Sequence, residues 1–389
     1  MAHSNNRQAL RNLVMGATLI LAGNASGQAV APTSIARHAN GESQLTEFDA
    51  PGAATVTSPA CGAYCGTIPL ANNDLGEIVG SYTDVNVVPH GFLRWPNGKV
   101  QSFDAPGAGL GSGLDEGTVA ITVNDRGVIA GQFQDSMLVY HSFVRQAGGA
   151  FTTIDPPDAG TGANQGSEAV SLNNFDTVAG NIFDSSNVIH GFVDSHGTIA
   201  VFDPPGSVLT FVCQETCLND AGAVVGYFID GTSTVHGFMR YPSGKIASVD
   251  APGAATGGYG GTIAASINAR GDITGYFYDS SGIAHGFIRK IDGSYIVFDA
   301  PANGTGGTVA FSINLFGTVA GASLDTNNTF HGYSRSRGGK FKLFDAPGAG
   351  SGAYQGTRPS TNNLFGDVAG WWIDAAGVNH GFVWHNYGR

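Results

Sequence analysis

Residues 277–287, FYDSSGIAHGF, set Asp279 six positions before His285 across a short polar turn. A carboxylate and an imidazole so spaced could form half of an acid–base site or ligate a cation. The pair recurs through the chain as Asp84/His90, Asp135/His141, Asp184/His190, Asp230/His236, Asp279/His285, Asp325/His331 and Asp374/His380. An enzyme needs one constellation of acid, base and substrate contacts, so this repetition favours a structural pair. Its expected form is a cross-strand hydrogen bond that pins a hairpin and orients the imidazole. Taking the hairpin as symmetric about Gly282 sets Asp279 opposite His285, Phe277 opposite Phe287 and Gly275 opposite Arg289. A glycine at that third level in every copy then reads as room for the long side chain above it.

The elements that position these residues form a repeat. A second motif, Phe-Asp-Ala-Pro-Gly or a close variant, places aspartates at Asp49, Asp104, Asp155, Asp203, Asp250, Asp299 and Asp345. These read as turn-capping carboxylates. A third motif places a turn asparagine 17 residues before each histidine, at Asn73, Asn124, Asn173, Asn219, Asn268, Asn314 and Asn363. The histidines span 290 residues, from His90 to His380, in six steps, a period of about 48 within the range of propeller repeats. In one unit TIAASI, DITGYFYD, AHGFIRK and YIVFD read as four strands joined by NARG, the Asp–His turn and IDGS. The predicted fold is all-β, a seven-bladed β-propeller of four-stranded antiparallel blades over residues 44–389. Residues 45–49 lack preceding strands and the last copy stops after its third. The N-terminal strand is therefore expected to complete the last blade and close the ring.

A unique site should lie where the copies differ. Five positions before each turn asparagine stand Ile68, Val119, Glu168, Gln214, Ile263, Val309 and Arg358, with Glu215 beside Gln214. Glu168, Gln214 and Arg358 replace apolar residues near the expected channel mouth. Nine positions before the asparagine, Tyr64, Tyr259 and Tyr354 lie in inter-blade loops, where tyrosine suits stacking on neutral polar ligands such as sugars. The bland alternative leaves the charges in a hydrated channel and the tyrosines packed between loops. No catalytic fingerprint or nucleophile–base arrangement is present, so no catalytic residue is assigned.

Composition agrees. The chain has 389 residues, 59 Gly, 42% apolar content and a net charge of −12, which argues against collagen, disorder and nucleic-acid binding. Arg7 and Arg11 precede a short apolar run, LVMGATLILAG, that reads as a secretory leader over residues 1–29, cleaved after Gly27 or Ala29, then a linker over 30–43. With no later apolar span, the mature chain is expected to be secreted or periplasmic, without a membrane span, and monomeric. Cys61/Cys65 and Cys213/Cys217 fit two local disulfides in that compartment, a four-thiolate zinc site being the alternative.

SINARGDITGYFYDSSGIAHGFIR resembles the HAF-type extracellular repeat proteins of bacteria, with Gly where that family has Ala and an added Phe-Asp-Ala-Pro-Gly element. The resemblance, over about residues 44–386, implies an exported repeat protein and carries over no catalytic residue. The expected function is a binding module for a glycan or another extracellular surface polymer. The rivals are a polysaccharide lyase or hydrolase at the channel mouth, and a purely structural protein. No cofactor is expected, and calcium is disfavoured because the turns lack the spacing Asp-x-Asp-x-Asp-Gly. The melting temperature should accordingly be unchanged by EDTA; a fall on chelation would reveal a bound metal.

Overall fold

The structure, a computed structural model, describes residues 44–58, 61–111, 116–213, 216–258, 260–301 and 306–386. The expected leader and linker, and Gln214, Glu215 and Tyr259, lie outside these residues. Among the described residues the protein is all-β apart from one turn of 3-10 helix at Gly62–Tyr64. No helix among them is long and apolar enough to cross a membrane.

The strands fall into seven groups of four. The fifth comprises Gly261–Ile267, Ile273–Tyr278, Ala284–Arg289 and Tyr295–Phe298, paired as an antiparallel meander. Its inner three strands are mostly buried on both faces, whereas the fourth is half exposed. In the turn after the first strand, the Gly271 N–H donates to the Asn268 carbonyl, and Gly271 takes a φ of +83° that a side chain would strain. The first strand bulges between Ala264 and Ser266 and presses the Ile263 carbonyl onto Gly275. A Cβ there would lie 2.0 Å from that oxygen. Backbone proximity, rather than room for an arginine, therefore demands this glycine.

The hairpin register also departs from the expected one. Phe277 faces His285, Gly275 faces Phe287 and Ile273 faces Arg289. Gly282, at φ +77°, is the extra residue of a bulged turn in which the Asp279 N–H donates to the Ile283 carbonyl. The hairpin axis thus passes through Ser281 instead of Gly282, which shifts every facing pair.

The groups join through a few repeated contacts. The Ala251 N–H, at the end of group four, donates to the Thr262 hydroxyl on the first strand of group five, at 3.0 Å. The Val235 N–H donates to the Gly260 carbonyl beside the left-handed Gly261. Third-strand Arg94, Arg145, Arg240 and Arg335 lie over Phe48, Phe103, Phe202 and Phe298 of the preceding group's fourth strand. Trp384 stacks on Phe344 in the equivalent place. In five His-Gly-Phe/Tyr copies the glycine lies against a fourth-strand phenyl ring, as Gly286 does against Phe298, whereas Gly237 lies against Val249. Where Ser142 replaces this glycine, Ile154 replaces the ring it would strike.

Each turn asparagine also donates its side-chain amide to the carbonyl of the next. The series runs Asn73, Asn124, Asn173, Asn219, Asn268, Asn314, Asn363, and Asn363 donates to the Asn73 carbonyl at 3.3 Å. At the chain ends Gln44–Phe48 pairs antiparallel with Asn379–His385, supplying the last group's fourth strand. The Asn268 side chain makes three hydrogen bonds, to the Asn314 carbonyl and from the Arg270 and Asp272 N–H groups. Asn268→Ala should cost about 2–4 kcal/mol in denaturant unfolding, because it strands buried polar partners.

Candidate functional site

Every histidine of the repeat touches two aspartates, and the closer one is not the turn aspartate that the six-residue spacing singles out. His285 Nδ1 lies 2.9 Å from Asp299 and its Nε2 3.5 Å from Asp279. The closer partner follows the fourth strand and faces the histidine directly, since Gly286 pairs with Phe298. The turn aspartate sits two positions along and reaches the ring only diagonally.

The other six histidines need the same correction. His141 holds Asp155 at 2.9 Å, with Asp135 at 3.5 Å. His190 holds Asp203 at 2.7 Å, with Asp184 at 3.7 Å. His236 holds Asp250 at 3.1 Å, with Asp230 at 3.5 Å. His90, His331 and His380 likewise lie 2.9–3.0 Å from Asp104, Asp345 and Asp49, and 3.6–3.8 Å from Asp84, Asp325 and Asp374. The strong hydrogen bond at each histidine therefore ties the third strand to the exit of the fourth. The expected pair with the turn aspartate is present in all seven copies as the longer contact, at 3.5–3.8 Å.

The turn carboxylate is already committed to its loop. Asp279 Oδ1 accepts the N–H groups of Ser281 and Ile283, and those contacts, the Ile283 one first, hold its pKa low. At Asp230 the Thr234 N–H leads an equivalent set that brings the pKa to about 2. Carboxylates only accept, so two of them beside one imidazole favour its charged form at His90, His331 and His380. At His90 the Asp104 hydrogen bond leads in raising the pKa; at His331 burial opposes the charge but Asp345 and Asp325 outweigh it. Each of the seven imidazoles thus has an aspartate carboxylate beside both of its ring nitrogens. Among the described residues no group of three or more His, Cys, Asp or Glu is arranged to hold a metal ion.

The cysteines form two disulfides, Cys61–Cys65 and Cys213–Cys217. The first brackets the 3-10 turn carrying Tyr64. The second changes an expected equivalence. Phe211, not Gln214, occupies the first-strand position in group four, paired with Tyr227. It lies eight residues before Asn219, whereas Ile263 lies five before Asn268. The disulfide loop absorbs the three-residue difference.

The first-strand series therefore reads Ile68, Val119, Glu168, Phe211, Ile263, Val309 and Arg358. Across the strand pair stand Ser81, Gln132, Asn181, Tyr227, Tyr276, Ala322 and Trp371. Glu168 and Arg358 are only 7% and 4% exposed, enclosed between strands instead of open to a channel. Burial raises Glu168 to about 7, against hydrogen bonds with Asn181 and Gln132. Burial lowers Arg358 to about 10, opposed by Tyr276 and Tyr64.

Arg358 lies against the Phe330 ring at 4.4 Å and the Trp371 ring at 5.0 Å. It also lines a cavity of about 130 Å³ with Tyr276, Tyr278, Phe311, Phe330 and Tyr354. The turn residues Gly282 and Asn328 border it too, placing the cavity on the rim that carries the second-to-third-strand turns and inter-group loops. Tyr354 adopts a φ of +63°, rare for a bulky residue, with its N–H on the Asn328 carbonyl at 2.7 Å. That conformation brings its ring to 6.5 Å from Phe330. The structure thus brings Tyr354 and Arg358 together, with Tyr64 within electrostatic reach of Arg358. Glu168 belongs to a different group. Sequence spacing missed Tyr276, Tyr278, Phe311 and Phe330, which look like ordinary strand residues.

No protein-family model matches the chain, and no curated protein does. Among solved structures it is similar to the BP39L lectin from Burkholderia pseudomallei, with 9% identity, a TM-score of 0.45, and coverage of 79% of this chain and 94% of that one. A puromycin hydrolase shows 11% identity and a TM-score of 0.47 over 85% of this chain and 56% of its own. The SapL1 lectin shows 11% identity and a TM-score of 0.39 over 71% and 94%.

His380 shows the linkage most clearly. Burial opposes its charge, but hydrogen bonds and charges of Asp374 and Asp49 raise it to about 9. A raised histidine contributes stability that is full below about 6.5, its unfolded value, and is lost as pH rises through about 9. The melting temperature should therefore fall between about pH 6.5 and 9.5, and His380→Gln should flatten that part of the profile.

Proposed function

We propose that the chain is an exported, seven-bladed β-propeller that binds a glycan of an extracellular surface polymer. The ring is closed by Gln44–Phe48 completing the last blade, and the site is the aromatic pocket bounded by blades five to seven. The return of the asparagine series to Asn73 supports the closed ring, and the two disulfides suit an oxidising compartment. The observation that carries the binding reading is the pocket itself. Its tyrosine rings offer faces for the C–H side of a sugar, and tyrosine hydroxyls with an arginine offer polar partners. The repeated Asp–His–Asp contacts, with a carboxylate at every ring nitrogen, belong to the scaffold.

A glycan array on the purified chain, followed by reducing-end and unsaturated-product assays on each hit, tests this reading. Binding without turnover is expected, and Tyr354→Ala should weaken it at least tenfold while leaving the melting temperature within a few degrees. Turnover would replace the binding module with an enzyme; binding unaffected by Tyr354→Ala would move the site elsewhere.

A further inference from the structure

We propose that the pocket selects a sugar bearing an acetamido group, held by the hydroxyls of Tyr276 and Tyr278 and the side-chain amide of Asn328. This rests on the glycan reading and adds the substituent that the site recognises.

The two phenols are the first ground. Tyr276 and Tyr278 stand two positions apart on the second strand of blade five, and both line the cavity. Tyr276 is only 1% exposed, yet neither hydroxyl makes a hydrogen bond to a described residue. The buried Tyr333 of the next blade, by contrast, donates its hydroxyl to the Val309 carbonyl at 3.0 Å. Buried hydroxyls are as a rule hydrogen-bonded, so two without a protein partner in one cavity wall suit a ligand. The scaffold does not require them. Blade five alone carries tyrosine at both positions; its neighbours have Tyr227 with Ile229 and Ala322 with Leu324.

Asn328 borders the same cavity from the turn before the third strand of blade six. Its N–H donates to the Asp325 carbonyl and its own carbonyl accepts from Tyr354, so its backbone is fixed. Its side-chain amide makes no hydrogen bond to a described residue.

The rest of the lining sets the class of ligand. Val309, Leu324 and Phe330 are buried apolar walls, and no carboxylate lines the cavity to favour an amine. Burial raises both phenols, Tyr278 to about 12, so at neutral pH each is an uncharged donor and acceptor. A fully hydroxylated sugar face set against those walls would lose water without recovering its hydrogen bonds. An acetamido group matches them better. Its carbonyl accepts from a phenol, and its N–H donates to a phenol oxygen or to Asn328 Oδ1. Its methyl and flat amide face lie against the aliphatic and aromatic side chains. The sugar ring then stacks on Tyr354, which lies beside Phe330 at the rim. No contact from Arg358 is needed, since its guanidinium lies against Phe330 and Trp371 and has partners within the protein.

Calorimetric titration of the full chain decides the matter. The probes are N-acetylated 2-amino sugars of glucose, galactose and mannose configuration and their short oligomers. Each is set beside its free amine, its neutral parent sugar and the 6-deoxy parent. The expected result is at least tenfold tighter binding of one acetamido sugar than of its amine and parents. That preference should be lost in Tyr278→Phe, with the melting temperature unchanged because the hydroxyl has no partner in the protein. Equal binding of the acetamido sugar and its parent would overturn the inference while leaving a glycan-binding module. So would an array hit without an acetamido group when the panel is silent. A preference that survives both Tyr276→Phe and Tyr278→Phe would overturn the assignment to these phenols. Silence from the panel and from the array would sink both readings. Should either variant fail to fold, the comparison of acetamido sugar, amine and parent on the unaltered chain still decides.

Discussion

The turn asparagine ties local folding to assembly. Its side-chain oxygen accepts two N–H groups of its own turn, while its amide donates to the backbone of the next group. These bonds are buried, so a group displaced from its neighbour would leave a polar atom in the interior without a partner. The turn must therefore stand at the same height in every group. The bulged first strand, the glycine under its carbonyl and the left-handed glycine closing the turn all follow from that requirement. The three extra residues in group four are accommodated without breaking it, because the Cys213–Cys217 loop takes them up before Asn219.

On the opposite rim the polar repeat serves the same end. The His-Gly-Phe histidine bridges the exit of the fourth strand to the turn before the third, joining two segments that a hairpin alone would leave to fray. Its neighbours are fixed by compatible sizes, as Ser142 with Ile154 shows against Gly286 with Phe298. A polar group that recurs in every copy, with a carboxylate at each ring nitrogen, sets no one group apart from the others. Function is better sought where one group departs from the rest, and the Arg358 position does so beside a cavity.

Much of this was legible in the sequence. The number and order of strands, the pairing of the chain ends and the local cysteine pairs are all present in the described structure. Tyr354 and Arg358 stood out because they broke the repeat. Two inferences failed for one reason, that counting residues assumes a regular strand. Gly282 is an extra residue in its turn, so the hairpin axis moved, and the three residues taken up by the disulfide loop put Phe211 at the first-strand position of group four. The histidine pairs were present but incomplete, for another reason. Spacing pointed His141, His190 and His236 at Asp135, Asp184 and Asp230, six residues away, whereas their close partners Asp155, Asp203 and Asp250 lie 13 or 14 residues on.

The sequence by itself determined the repeat and hence the local structure, because turn glycines, alternating apolar residues and the asparagine act over a few neighbouring positions. It also marked Arg358 as an exception. Only the tertiary structure decided which aspartate each histidine holds most closely, since Asp299 becomes the direct partner of His285 only when the fourth strand pairs with the third. It alone set Tyr276, Phe330 and Tyr354, from three successive groups, around one arginine. Such a pocket arises from side chains far apart in the chain, and no spacing within a single repeat encodes it.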